Sequence, residues 1–189
     1  MCWPGRSRSN NRRRDCSQTS RGFTAGKIPN PEPRVKNEEK GRAFLRRRRQ
    51  DRLITAAREA RQRAVARRSG FKVGAALLTA RGEIITGANV ESASYGLTCC
   101  AERVALFKAL TEGKARFVAL GVVARSPGGP MPCGACRQLL AEYAPEAAVW
   151  VADSRRPKQI REFTVAELLP AAFLDAGKKI VVETGRARK

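Results

Sequence analysis

From Asp51 onward the chain alternates between helical and extended hydrophobic patterns. Leu53, Ile54, Ala57, Ala60, Ala64 and Val65 recur at helical spacing and predict a helix over Asp51–Arg67. Two β-like runs follow, Phe71–Thr79 and Glu83–Ala88. They are separated by the turn pair Arg81-Gly82 and read as a hairpin. A helix is expected over Cys100–Leu110, ending near Gly113, then a buried strand over Phe117–Ala124 and a loop over Pro127–Pro132. Cys133–Tyr143 reads as a helix and Ala147–Ala152 as a fourth strand. Phe163 ends a fifth, ahead of a short Val165–Leu169 helix. This order predicts an α/β fold: a mixed five-stranded sheet between helices, in a three-layer α-β-α sandwich.

The first part of the chain has a different composition. Residues 1–50 carry 15 Lys/Arg against 4 Asp/Glu, a net of +11, whereas the whole chain of 189 residues carries +21. Arg, Ser, Asn, Pro and Gly dominate there, and Ile28-Pro29-Asn30-Pro31-Glu32-Pro33 reads as neither helix nor central strand. The expected organisation is a disordered basic arm over 1–48, a catalytic domain over 49–176 and a basic tail over 177–189. Three readings of the arm stay open: a solvated tail or over-extended start, a transit peptide, and a nucleic-acid-binding arm. No run of about 18 apolar residues is present, so no membrane span is expected. Without a secretory leader, the cytoplasm is the expected compartment.

Histidine is absent altogether. That excludes Ser–His and Cys–His nucleophile pairs and every metal site that needs imidazole. Any metal falls to Cys, Asp or Glu, and in a reducing cytosol clustered cysteines point to metal rather than disulfides. Of six cysteines, Cys133 and Cys136 form a CxxC pair after Pro132. Alone, that spacing fits a redox motif as well as a metal site. Upstream stands Cys100-Ala101-Glu102-Arg103, and both motifs open predicted helices. Helix amino termini stabilise thiolates. Three sulfurs on one zinc leave a tetrahedral position for water, the arrangement of catalytic rather than structural zinc. A closed site that also uses Cys99 is the competing reading.

These residues match a zinc-deaminase pattern, a ligand two residues before Glu followed by Pro-Cys-x-x-Cys. The chain from about residue 50 to 173 resembles the homotetrameric, three-cysteine class of cytidine deaminases. The resemblance rests on Gly70-Phe71-Lys72-Val73-Gly74-Ala75-Ala76, Gly87-Ala88-Asn89-Val90-Glu91-Ser92-Ala93-Ser94-Tyr95, Cys100-Ala101-Glu102-Arg103, Pro132-Cys133-Gly134-Ala135-Cys136-Arg137-Gln138 and Glu167-Leu168-Leu169-Pro170-Ala171-Ala172-Phe173. Where the family often carries an aromatic and proline-containing stretch, this chain reads Ala64-Val65-Ala66-Arg67-Arg68-Ser69.

The resemblance implies one Zn2+ per subunit on Cys100, Cys133 and Cys136. It implies hydrolysis of the 4-amino group of cytidine or deoxycytidine in pyrimidine salvage, with Glu102 moving the protons. It also implies that Asn89 and Glu91 bind the ribose, that Phe71 packs on the pyrimidine, and that the Ala101 N–H and the Cys133 carbonyl read the base. Tyr95 then lines the site and Phe173 closes it, while Arg103 and Arg137 hydrogen-bond the ligating sulfurs and offset the charge of three thiolates. The implied partners are a small nucleoside substrate and three further copies of the chain. A nucleic-acid partner through the arm is possible but not favoured, because Asn89-x-Glu91 suits a free 3′-hydroxyl. Rival readings are a nucleic-acid cytosine deaminase, a deaminase of another cytosine nucleoside, and a non-catalytic zinc scaffold.

Overall fold

The structure is a computed structural model that describes residues 32–174, with side chains from residue 39 onward. In chain order the elements are α1 (Glu32–Ala60), β1 (Val73–Thr79), β2 (Ile84–Ala88), α2 (Ala101–Thr111), β3 (Phe117–Ala124), α3 (Gly134–Tyr143), β4 (Ala148–Asp153), β5 (Ile160–Thr164) and α4 (Val165–Leu168). Single 3-10 turns occupy Arg61–Arg63 and Tyr95–Leu97. The sheet order is β2-β1-β3-β4-β5. Only β3 and β4 pair in parallel, and the other neighbours are antiparallel. The mixed five-stranded sheet is therefore the one the sequence predicts.

Two apolar layers sandwich the sheet. On one face Leu53, Ile54 and Ala57 of α1 pack on Ala76, Leu78, Ala119, Val123 and Trp150. On the other, Ala105 and Leu106 of α2, Leu140 of α3 and Leu168 of α4 pack on Leu77, Leu120, Val122, Val149 and Val151. β3 is buried at every position but Val118 because both faces of this central strand are covered. Two glycines set the spacing. A Cβ on Gly74 would stand 2.0 Å from the Ala57 carbonyl oxygen, and one on Gly87 would stand 2.4 Å from that of Ala101. Only glycine lets β1 lie this close to α1 and β2 this close to the start of α2. The second contact fixes where Cys100 begins its helix.

The first helix corrects two expectations. It starts at Glu32, not Asp51, and α-helix ends at Ala60 instead of running to Arg67. Residues 32–48, read from sequence as arm, are thus helix. Pro33 falls in the first turn, where a missing N–H costs no intrahelical bond. At the other end the chain turns extended at Ala64, and Val65 of the expected stripe is 43% exposed. The expectations for residues 1–31 and for the 177–189 tail, Cys2 and Cys16 included, lie outside the described residues. No described helix is long and apolar enough to cross a membrane.

Candidate active site

The site lies at the end of the sheet where β1 and β5 begin and β2, β3 and β4 end. Cys100 is the N-cap of α2 and Cys133 the N-cap of α3. Both adopt extended φ/ψ, while their carbonyls already accept the first helical bonds, from Val104 and Arg137. Cys136, one turn into α3, is 1% exposed. Each thiol thus stands among unpaired N–H groups at the positive end of a helix.

The sulfurs converge. Cys100 Sγ is 3.7 Å from Cys133 Sγ, which is 3.6 Å from Cys136 Sγ. All three pairs lie within 4.8 Å. A disulfide would need about 2.05 Å. Four ligands held tetrahedrally about 2.3 Å from zinc lie about 3.8 Å apart, so the observed spacing fits a zinc ion with three sulfurs. Cys99 is half-buried, and its backbone pairs with Val90 in a short bridge. It is not among the three clustered sulfurs. The three thiols share their protons unequally. A hydrogen bond from Cys136 draws the Cys100 thiol down to about 5, with help from Arg103. The donor role and burial push Cys136 upward.

Glu102 is 7% exposed. Burial pushes its carboxyl up to about 7, and the nearby Cys100 charge adds to the shift. Arg103 donates from Nη2 to the Thr98 carbonyl and lies against the Cys100 thiol, and its buried Nε has no partner. Arg137 differs from expectation. Its Nε donates to the Pro132 carbonyl at 2.8 Å and its Nη1 to that of Leu168 at 2.9 Å. These bonds clamp the loop before Cys133 to the end of α4 rather than reaching sulfur.

Three extended segments converge beside the cysteines. Val90 bridges Val65 on one side and Cys99 on the other, so Asn89 and Glu91 run next to Cys100. Both side chains reach the same neighbour, the segment 68–73. Asn89 Oδ1 accepts from Val73 N at 2.8 Å, and its Nδ2 donates to the Phe71 carbonyl at 2.9 Å. Glu91 accepts from Arg68 N at 2.8 Å, from Ser69 N at 3.2 Å and from the Ser69 hydroxyl. Those contacts hold its carboxyl below the usual range, the Ser69 hydroxyl contributing most. Arg68, Ser69, Glu91, Ser92, Tyr95 and Thr98 line a cavity of about 390 Å³. Ala101 is fully buried under the start of α2. Phe71, Tyr95 and Phe173, the aromatics expected to line and close the site, are 43%, 83% and 85% exposed in the single chain.

Sequence reasoning missed two residues. Ser69 ties Glu91 down and also accepts from Phe71 N at 2.9 Å. Gln138 donates to the Phe173 carbonyl at 2.6 Å and holds the end of the described chain against α3. A Ser-Gly turn before a strand was the available signal for Ser69; Gln138 stands in a segment that carries the resemblance, but its partner is a backbone carbonyl 35 residues away with no side-chain signature.

The fold and the sulfur cluster define a zinc-binding α/β protein whose metal site has one position free of protein sulfur. Residues 47–152 match the model of the cytidine and deoxycytidylate deaminase zinc-binding region. The chain is similar to a cytidine deaminase of Halalkalibacterium halodurans, 52% identical over 122 residues, covering 64% of this chain and 91% of that one. It is also similar to one of Sporosarcina psychrophila, 46% identical over 123 residues, covering 65% and 90%. Among solved structures, the cytidine deaminase of Burkholderia pseudomallei superimposes with a TM-score of 0.61 at 47% identity, over 64% of this chain and 96% of that one. The chain belongs to the cytidine and deoxycytidylate deaminase family.

Proposed function

We propose that the protein hydrolyses the 4-amino group of cytidine and deoxycytidine, giving uridine or deoxyuridine and ammonia. The observation that carries this reading is a buried carboxylate, Glu102, two residues from one member of a three-sulfur cluster with zinc spacing. Cys100, Cys133 and Cys136 hold the metal. A zinc ion bound by these three sulfurs would supply activation of water at neutral pH. Glu102 accepts a proton from the attacking water and delivers it to N3, which makes C4 electrophilic. It carries the second proton to the amino nitrogen as the C4–N bond breaks. A carboxyl held near neutrality suits both directions of transfer. Arg103 offsets thiolate charge beside Cys100, and Arg137 positions the Cys133 loop.

Glu91 and the second N–H of the Asn89 amide face the sugar, Phe71 packs on the base, and the Ala101 N–H and the Cys133 carbonyl read its edge. Tyr95 and Phe173 complete the wall in an assembly of four copies, which the exposed apolar mouth of Phe71, Val90, Tyr95, Leu97 and Phe173 supports. Four free cysteines among the described residues favour a reducing compartment, the cytoplasm.

Loss of cytidine absorbance on mixing with the zinc-loaded protein, abolished by chelation and restored by zinc, is the expected result. Bound zinc without turnover would leave a scaffold. Turnover of a cytosine-containing oligonucleotide but not of cytidine would move the substrate to nucleic acid.

A further inference from the structure

We propose that the amino-terminal half of α1 docks a single-stranded nucleic acid through its phosphodiester backbone. α1 has 29 residues, yet among its described side chains the buried ones, Leu53, Ile54, Ala57 and Ala60, all fall in the last eight. Residues 39–49 are exposed throughout, and most of them precede the family match, which begins at 47. The fold does not need this stretch to cover the sheet.

Its chemistry is one-sided. Between residues 39 and 52 stand Arg42, Arg46, Arg47, Arg48, Arg49 and Arg52, with Lys40, against only Glu39 and Asp51. Arg46 pairs with Glu162 of β5, and Gln50 Nε2 donates to the same carboxylate at 3.1 Å. That double contact pins the helix to the sheet edge and fixes its rotation. Arg47, Arg48 and Arg49 lie about 100°, 200° and 300° round the helix from Arg46, and all three are exposed, with Arg47 also pairing with Asp51 at 3.5 Å. β5 leads back to a second basic segment, where Arg156, Lys158 and Arg161 are exposed and Arg155 is tied to Asp153 at 3.0 Å. The fixed positive field therefore extends along one edge of the domain.

The residue types select the partner. Guanidinium forks grip phosphate oxygens two at a time, and six of these seven cations are arginine. A lipid surface would call for a continuous apolar stripe along the helix, but Phe44 and Leu45 are the only large apolar side chains between residues 39 and 52. Phe44 is 60% exposed with the Arg48 guanidinium 5.7 Å from its ring centre. An aromatic face flanked by cations is a platform on which an unpaired base stacks. α1 covers the sheet face opposite α2 and α3, so a docked strand leaves the cysteine site clear.

The test uses the full-length zinc-loaded protein and a fluorescein-labelled oligothymidylate, titrated by anisotropy at several salt concentrations. Exchanging Arg47, Arg48 and Arg49 together for Gln (R47Q/R48Q/R49Q) keeps the Arg46–Glu162 contact and the helix. It is expected to weaken binding at least about tenfold and to lower the log–log salt slope by about 2, from three phosphate contacts at ~0.7 each. Phe44→Ala is expected to weaken binding about fivefold or more without changing the slope. Deamination of cytidine should be unchanged in both. The proposal is overturned if the wild type does not bind, if the triple variant keeps the wild-type affinity and slope, or if phosphatidylserine vesicles compete the oligonucleotide away.

Discussion

The two halves of the site are built in contrasting ways. The sulfur half is made by one chain alone: two helix N-caps and a buried cysteine bring three thiols to metal spacing, and Glu102 is sealed beside them. The other half, the one proposed to bind the sugar, is backbone held by polar side chains, with Asn89 and Glu91 bracing the 68–73 segment and aromatics left in the open. Helix termini and a packed sheet fix the first half rigidly. The second depends on hydrogen bonds among loops and on a surface that further copies can cover. Chemistry is therefore expected to depend steeply on the first half and affinity on the second.

The sharpest break is Cys136→Ala. It removes the most buried of the three sulfurs, so zinc retention and turnover should both be lost, and metal analysis of the purified variant checks this. Glu102→Gln is next. It should keep zinc at one equivalent while turnover falls about a thousandfold or more, as expected for loss of a positioned acid–base group. A Gln variant within tenfold of wild type would remove Glu102 from proton transfer. Together the two variants split the sulfur half into metal holding and proton movement.

How legible each half was follows the same division. Cys-x-Glu and Pro-Cys-x-x-Cys could be read because the spacing of residues at a helix start is local, and the structure places both cysteines at N-caps. β3 was legible as one unbroken apolar run. The back-extension of α1 was not, because an exposed arginine helix has no apolar period to reveal it. The contacts of Arg137 with Pro132 and Leu168 escaped too, since the second partner lies 31 residues away and is a carbonyl with no side-chain signature. Ser69 sits 22 residues from Glu91, and only the folded bridge of Val65, Val90 and Cys99 brings them together.

On the sugar half, smaller and separable effects are expected. Glu91→Gln removes a charged acceptor of two backbone N–H groups and one hydroxyl. Losing one charge-assisted bond to the substrate predicts a KM for cytidine raised about 10- to 100-fold, with kcat changed far less. An equal fall in kcat would mean that Glu91 also positions the base for reaction, and the contrast between the halves would fail.

The subtlest test changes the pH dependence through Ser69→Ala. In the folded protein the Ser69 hydroxyl and the Arg68 and Ser69 N–H groups hold the Glu91 carboxyl below its ordinary 4.5. A depressed carboxyl keeps its charge, and the stability that the charge gives, above the ordinary value, and loses both as pH falls through the lowered one. The KM of the wild type should therefore stay flat from neutrality to below the ordinary value. Removing the Ser69 hydroxyl deletes the largest contributor and leaves two N–H donors, so the carboxyl moves only part of the way back. The KM of Ser69→Ala should begin to climb at a higher pH than that of the wild type. Glu102 titrates in both proteins and cancels in their ratio, so the variant-to-wild-type ratio of kcat/KM isolates Glu91. That ratio should be constant near neutrality and fall on acidification. A constant ratio throughout would show that the carboxylate is held by backbone alone, and the sugar half would then be as preset as the sulfur half.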